Sequence, residues 1–151
     1  MTSCMSGKCF VDTNVLVYAC DSSDPTKQQT ALTLISNVAT GGEGVISAQV
    51  LGEFFHATVI RRKLLPSDEA ERAVLAFQAA LIVAAIEPQL VADAIKIHRR
   101  YQTRYWDSLI IATAAHEGCV EIASEDLNDG QSYNGVVVRN PFRTAAGTSH
   151  P

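Results

Sequence analysis

The chain alternates short, continuous apolar runs with longer stretches whose apolar positions recur every three or four residues. Cys9-Phe10-Val11 is the first such run, and it stops at Asp12. A run of this kind bounded by polar residues reads as a buried strand, whereas recurrence at three and four reads as an amphipathic helix. Val15 to Ala19 continues as a short helix or turn. Ser22-Ser23-Asp24-Pro25 marks a helix start, with Asp24 as N-cap and Pro25 as first helical residue. That helix runs to about Val38, with Ala31, Leu34, Ile35 and Val38 on one face, and Gly41-Gly42-Glu43-Gly44 breaks it. Val45-Ile46 is a short strand, and Ser47 caps a helix from Ala48 to about Lys63. On that helix the row Glu53, Ala57, Ile60, Leu64 is apolar apart from Glu53.

Pro66-Ser67-Asp68 opens a helix from about Glu69 to Ala79, and Leu81 to Ile86 reads as a buried strand closed by Glu87-Pro88. A helix from about Gln89 to Tyr101 follows. Trp106-Asp107-Ser108 opens another through Ala115, ended by Gly118. Val120-Glu121-Ile122-Ala123 is a strand that runs into Ser124-Glu125-Asp126. Leu127 to Gly135 reads as a polar loop, Val136-Val137-Val138 as the last strand, and order ends at Asn140-Pro141, with Phe142 onward a tail. Strands alternate with helices and no hairpin is foreseen. The expected fold is therefore α/β, three layers around a mostly parallel sheet of roughly five strands. Residues 1–142 form a single domain and 143–151 a tail.

The composition agrees with a globular chain: 151 residues, 47% hydrophobic and 19% charged. No stretch is long and apolar enough for a membrane span and no leader is read, so no membrane partner is expected. Four cysteines show neither metal spacing nor a disulfide framework, which suits a reducing cytoplasm. The net charge of −4 argues against a general nucleic-acid binder but leaves room for a nuclease whose acids hold metal.

Four acids change the picture. Asp12 and Asp126 each follow a strand, Asp107 sits at a helix start, and Glu53 lies one to two turns into a helix that also starts at a strand end. In a parallel sheet these positions share one rim, where ligands of open α/β sheets bind. Four carboxylates in one pocket cannot all stay ionised without a counter-charge. A hard divalent ion with oxygen ligands, Mg²⁺ or Mn²⁺, supplies it, and the absence of paired Cys or His spacing argues against zinc. Such a pocket suits phosphodiester hydrolysis.

The residues Phe10-Val11-Asp12-Thr13-Asn14-Val15-Leu16, Ser47-x5-Glu53, Tyr105-Trp106-Asp107-Ser108-Leu109-Ile110-x-Ala112-Thr113-Ala114, Ser124-Glu125-Asp126-Leu127-x-Asp129-Gly130-Gln131 and Asn140-Pro141-Phe142 carry a resemblance. In order and spacing the chain resembles the PIN domain family, and within it the VapC-type toxins of toxin–antitoxin pairs, over about residues 9–142. The resemblance implies a metal-dependent endoribonuclease toxin. It implies Asp12, Glu53 and Asp107 as core acids and Asp126 as the more variable fourth, with Asp129 near enough to compete for that role. Thr13, Asn14 and Ser124 match the supporting polar positions. A homodimer, an RNA substrate and a small VapB-like antitoxin are the implied partners.

Arg61-Arg62-Lys63 and Arg104 are candidates for RNA contact. Tyr105 and Trp106 adjoin Asp107 and are expected chiefly in core or dimer packing, with base stacking as their other use. Glu53-x-x-His56 is half of a di-iron motif, but the second copy and the bundle are missing. The rival reading from another class is a catalytically weak PIN-like module that acts by binding protein or RNA.

Overall fold

The computed structural model describes residues 7–143. The buried triplet Cys9–Val11 forms β1, which has no exposed surface and pairs in parallel on both sides. One neighbour is β2 (Gly44–Ser47) and the other β4 (Glu121–Ala123). Beyond β2 lies β3 (Ile82–Ala84), and beyond β4 lie β6 (Val136–Arg139) and β5 (Ser132–Tyr133). The sheet has six strands in the order β3-β2-β1-β4-β6-β5, parallel except for the β5–β6 pair.

Six α-helices join the strands: α1 (Thr13–Ala19), α2 (Pro25–Thr40), α3 (Ala48–Phe55), α4 (Ser67–Ala80), α5 (Pro88–Tyr101) and α6 (Tyr105–His116). α6 packs against β2, β4 and β6 with α5 behind it, while α1 packs on α2 and α3, and α3 on α4. The layers are helix, sheet, helix, as the alternation predicts. Local chemistry sets the starts: Asp24 accepts from the Lys27 N–H at 3.1 Å before Pro25, and Ser47 Oγ accepts from the Val50 N–H at 3.2 Å. α6 is apolar nearly all round, with Ser108 to Ala114 buried, as a helix sandwiched between α5 and the sheet requires.

The structure corrects four sequence-based expectations. The loop before β6 contains a sixth strand, closed into a hairpin by Asn134-Gly135. Both turn residues have positive φ, 50° and 87°, which suits the pair Asn-Gly to a tight turn. β3 is a three-residue edge strand, with Ile82 exposed, and not a fully buried one. α3 ends at Phe55 and continues as a π-helical turn, His56–Arg61, so the row through Ile60 does not stay on one face. Order extends past Asn140: the Phe142 ring meets Tyr18 edge-on at 4.8 Å, and Arg143 Nη1 pairs with Asp129 at 3.1 Å. The rest of the expected tail, 144–151, lies outside the described residues.

Candidate functional site

The strand order reverses direction at β1: the chain builds outward through β2 and β3 on one side, then crosses to β4 and β6 on the other. The crevice at such a switch point opens at the carboxyl ends of the two central strands. Asp12 ends β1, and its N–H donates to the Ala123 carbonyl of β4 at 3.0 Å. Ser124, the residue after β4, returns the link: its Oγ donates to Asp12 Oδ2 at 2.7 Å. The other oxygen, Oδ1, accepts from the Thr13 N–H at 2.7 Å, so Asp12 is also the N-cap of α1.

A cleft of about 630 Å³ opens here. Asp12, Glu53, Asp107 and Asp126 all line it, together with Thr13 and Asn14. Asn14 Nδ2 sits between Asp12 Oδ2 (3.4 Å), Asp126 Oδ2 (3.2 Å) and Ser124 Oγ (3.4 Å), and its Oδ1 accepts from the Glu125 N–H at 3.2 Å. Thr13 Oγ1 donates to Glu53 Oε1 at 2.7 Å. The four acids predicted from separate elements thus line one cleft, and Thr13, Asn14 and Ser124 bond to Asp12, Glu53 and Asp126.

Asp12 is the only buried one of the four, at 4% exposure. Burial pushes its carboxyl up to about 7; the Ser124 and Thr13 hydrogen bonds oppose this, and the charges of Asp126 and Asp107 add to it. Asp107 carries its own counter-charge: Arg104 Nε donates to Asp107 Oδ2 at 3.1 Å, and that bond raises the Arg104 guanidinium further above its ordinary range.

Other predicted residues sort differently. Asp129 is not in the cleft lining; its carboxylate accepts from the Asn140 N–H at 2.8 Å and from Arg143, and so ties down the chain after β6. Arg61, Arg62 and Arg104 line the cleft, but Lys63, at φ 51°, does not. Arg62 is already committed: its Nη2 donates to buried Asp21 at 2.6 Å. With the Ser23 hydroxyl, this holds the Asp21 carboxyl down at about 2. Trp106 lines the cleft at 61% exposure, so of the two packing places expected for it the core is ruled out, while a dimer contact stays open.

Three features escaped the sequence. Gln49 Nε2 donates both to Glu53 Oε2 and to the Trp106 carbonyl, each at 3.0 Å, and so clamps α3 to α6. Glu125 lines the cleft beside Tyr18, whose hydroxyl donates to it at 2.7 Å, while Lys27 pairs with the same carboxylate. His56 lines it from the π-helical turn. Gln49 and Lys27 sit on helix surfaces where a polar residue carries no signal of its own.

The donor set is all oxygen, which fits a hard cation. Among the described residues, no three acidic, His or Cys side chains stand close enough to hold one ion as they are. Two carbonyl-class donors and several waters suffice for Mg²⁺, which is bound by one or two carboxylates and keeps much of its hydration. Asp12 and Asp126, flanking one amide, would be such a pair, and the acidic surroundings of Asp12 are what an ion would relieve.

The sequence model described as PIN domain matches residues 9–128. Comparison with curated proteins gives no match. Among solved structures, the chain is similar to a sarcin–ricin-loop-cleaving VapC toxin of Mycobacterium tuberculosis, with a TM-score of 0.58 at 19% identity over 79% of this chain and 90% of that one. It is similar to DNA-bound VapBC of Salmonella typhimurium, with a TM-score of 0.65 at 16% identity over 89% and 98%. It is also similar to FitAcB of Neisseria gonorrhoeae, with a TM-score of 0.60 at 17% identity over 90% and 99%. At these identities the likeness is one of fold.

Proposed function

The chain belongs to the PIN domain family, and from that premise we propose that it is a Mg²⁺- or Mn²⁺-dependent endoribonuclease, the toxin of a toxin–antitoxin pair. One observation carries the reading: four carboxylates from four separate elements line one cleft, around an Asp12 whose carboxyl is pushed up to about 7. A structural role would disperse such acids to solvent; gathering them is costly unless a cation joins them.

Asp12 and Asp126 would hold the ion, with Asp107 and Glu53 completing the acidic wall. When bound, the ion would lower the pKa of an attacking water and offset charge on the phosphate. The chain's own groups do the positioning. Ser124 and Thr13 fix both oxygens of Asp12, Asn14 spaces it from Asp126, and Thr13 and Gln49 orient Glu53. Arg61 and Arg104 offer phosphate contacts at the cleft, and Asp126 is favoured over Asp129 as fourth acid because it alone lines the cleft.

A small VapB-like antitoxin is the proposed partner; the similarity to the VapC toxin of Mycobacterium tuberculosis and to VapBC of Salmonella typhimurium supports it. A homodimer in the cytoplasm acting on RNA completes the reading. No helix among the described residues is long and apolar enough to cross a membrane.

The test is cleavage of total RNA by purified protein with Mg²⁺ or Mn²⁺, with EDTA, and with Asp12→Ala. Discrete fragments that need metal and vanish in the variant are expected. Wild-type protein that is inert yet binds a partner would instead favour the non-catalytic module, and cleavage that survives EDTA or the substitution would sink the site assignment.

A further inference from the structure

We infer that Trp106 is a stacking platform for an unpaired base next to the phosphate that is cut. The inference rests on the endoribonuclease reading and adds to it a subsite for a single-stranded nucleotide.

Trp106 is the chain's single tryptophan. It is also the most exposed large apolar side chain among the described residues, at 61%. A ring of this size normally loses most of its surface on folding, because its burial stabilises the fold. Here it stands in the first turn of α6, adjacent to Asp107, on the wall of the acidic cleft. Its backbone is fixed by Gln49, whose amide grips the Trp106 carbonyl and Glu53 together at 3.0 Å each. Tyr105 braces the indole edge-on, with ring centres 4.9 Å apart and planes at 77°. The platform's backbone and Glu53 are therefore held by one clamp, which ties the spacing between a stacked base and this acid.

The occupant follows from the chemistry around the ring. Arg61 and Arg104 line the same cleft and offer phosphate contacts beside the indole once a cation offsets the acids, and Arg104 is held against Asp107 within the turn that carries Trp106. An exposed aromatic face beside arginines is how single strands are bound without sequence readout, since every base has a π-face. A paired base hides that face inside its stack. The substrate segment is therefore single-stranded at this position.

The test uses the indole itself. Wild type is titrated with a short single-stranded RNA, with Ca²⁺ replacing Mg²⁺ to suppress cleavage, while tryptophan fluorescence and fluorescence anisotropy of a labelled RNA are followed. The strand is then rescanned with one abasic nucleotide at a time, against wild type, Trp106→Phe and Trp106→Ala. Expected are saturable quenching of the indole and a loss of affinity of roughly five- to a hundredfold for Trp106→Ala, smaller for Trp106→Phe. One abasic position should weaken wild type and leave Trp106→Ala unchanged. Trp106→Phe keeps a ring and serves as the folded control. If the RNA binds while the indole is unaffected, or the abasic scan is the same in both proteins, the platform is refuted and the nuclease reading stands. If the indole is instead shielded from acrylamide as protein concentration rises, with no RNA present, Trp106 belongs to a contact between copies and the platform is likewise refuted. Wild type that neither binds RNA nor cuts it with Mg²⁺ or Mn²⁺ overturns both.

Discussion

At Asp12, three influences meet on one carboxyl group. Burial and the neighbouring charges of Asp126 and Asp107 favour the protonated form, whereas the Ser124 hydroxyl and the Thr13 N–H favour the ionised one. Burial wins, and the group titrates at about 7 against an ordinary 3.8. A carboxyl raised in the folded state contributes stability that is fully present below the unfolded value and lost as pH rises through the folded one. Metal-free wild type should therefore lose stability between about pH 4 and about pH 7. Asp12→Asn should be the more stable protein at about pH 7.5, by at most about 4 kcal/mol, and no more stable at about pH 4. Denaturant unfolding in EDTA at the two pH values checks this, and a constant difference would contradict it. The same proton must leave when an ion binds, so the affinity for Mn²⁺ should rise about tenfold per pH unit up to about 7 and flatten above it. Ser124 supports both acids at once, donating to Asp12 while its oxygen accepts from the Asp126 N–H at 3.1 Å. Ser124→Ala should cost about 1–3 kcal/mol in unfolding free energy, because the buried Asp12 carboxylate and the Asp126 N–H both lose their partner.

At the scale of elements, the π-helical turn decides what the cleft presents. In a regular helix each residue advances about 100°, so Ile60 falls seven residues on, nearly in line with Glu53. The wider turn over His56–Arg61 advances less per residue and puts Arg61 in that line instead. The lining agrees: Glu53, Ala57 and Arg61 face the cleft, while Ile60 is 55% exposed and absent from it. Arg61→Gln should weaken RNA binding and lower its dependence on salt by about 0.7 in log–log slope, the loss of one phosphate contact. Ile60→Gln should do neither, and equal slopes for both variants would remove Arg61 from the interface. No residue pattern announces such a turn, since the sequence of α3 and its continuation keeps good helical periodicity. The Asn134-Gly135 hairpin is the opposite case: the turn pair is legible, but no apolar run precedes it to mark a strand, β5 being only two residues long. The acids were legible because each interrupts or ends an apolar run where burial makes a charge conspicuous. Gln49, Lys27 and Tyr18 were not, because their roles come from partners 57, 98 and 107 residues away.

Across the whole molecule, the charge pattern bears on the proposed action on RNA. The chain carries a net −4, and its cleft gathers four carboxylates plus Glu125 against three arginines. Two of those arginines are partly spent, Arg62 on Asp21 and Arg104 on Asp107. On the proposed reading, the cleft without an ion would repel an RNA strand, and the metal would be needed for binding as well as for chemistry. Asp107→Asn separates the two effects. It removes a negative charge from the wall and loosens Arg104 for phosphate, so in EDTA the variant should bind single-stranded RNA several-fold more tightly than wild type. It also removes one of the acids, so in Mg²⁺ or Mn²⁺ its cleavage should fall by about a hundredfold or more. Measured side by side, tighter binding with lost cleavage would tie the acidic cleft to metal-dependent action on RNA. If Asp107→Asn instead cut as well as wild type, Asp107 would be no part of the reacting centre. If it bound more weakly in EDTA, the Arg104–Asp107 pair would be acting as a structural support for the RNA-facing wall, and the electrostatic account of the cleft would fail.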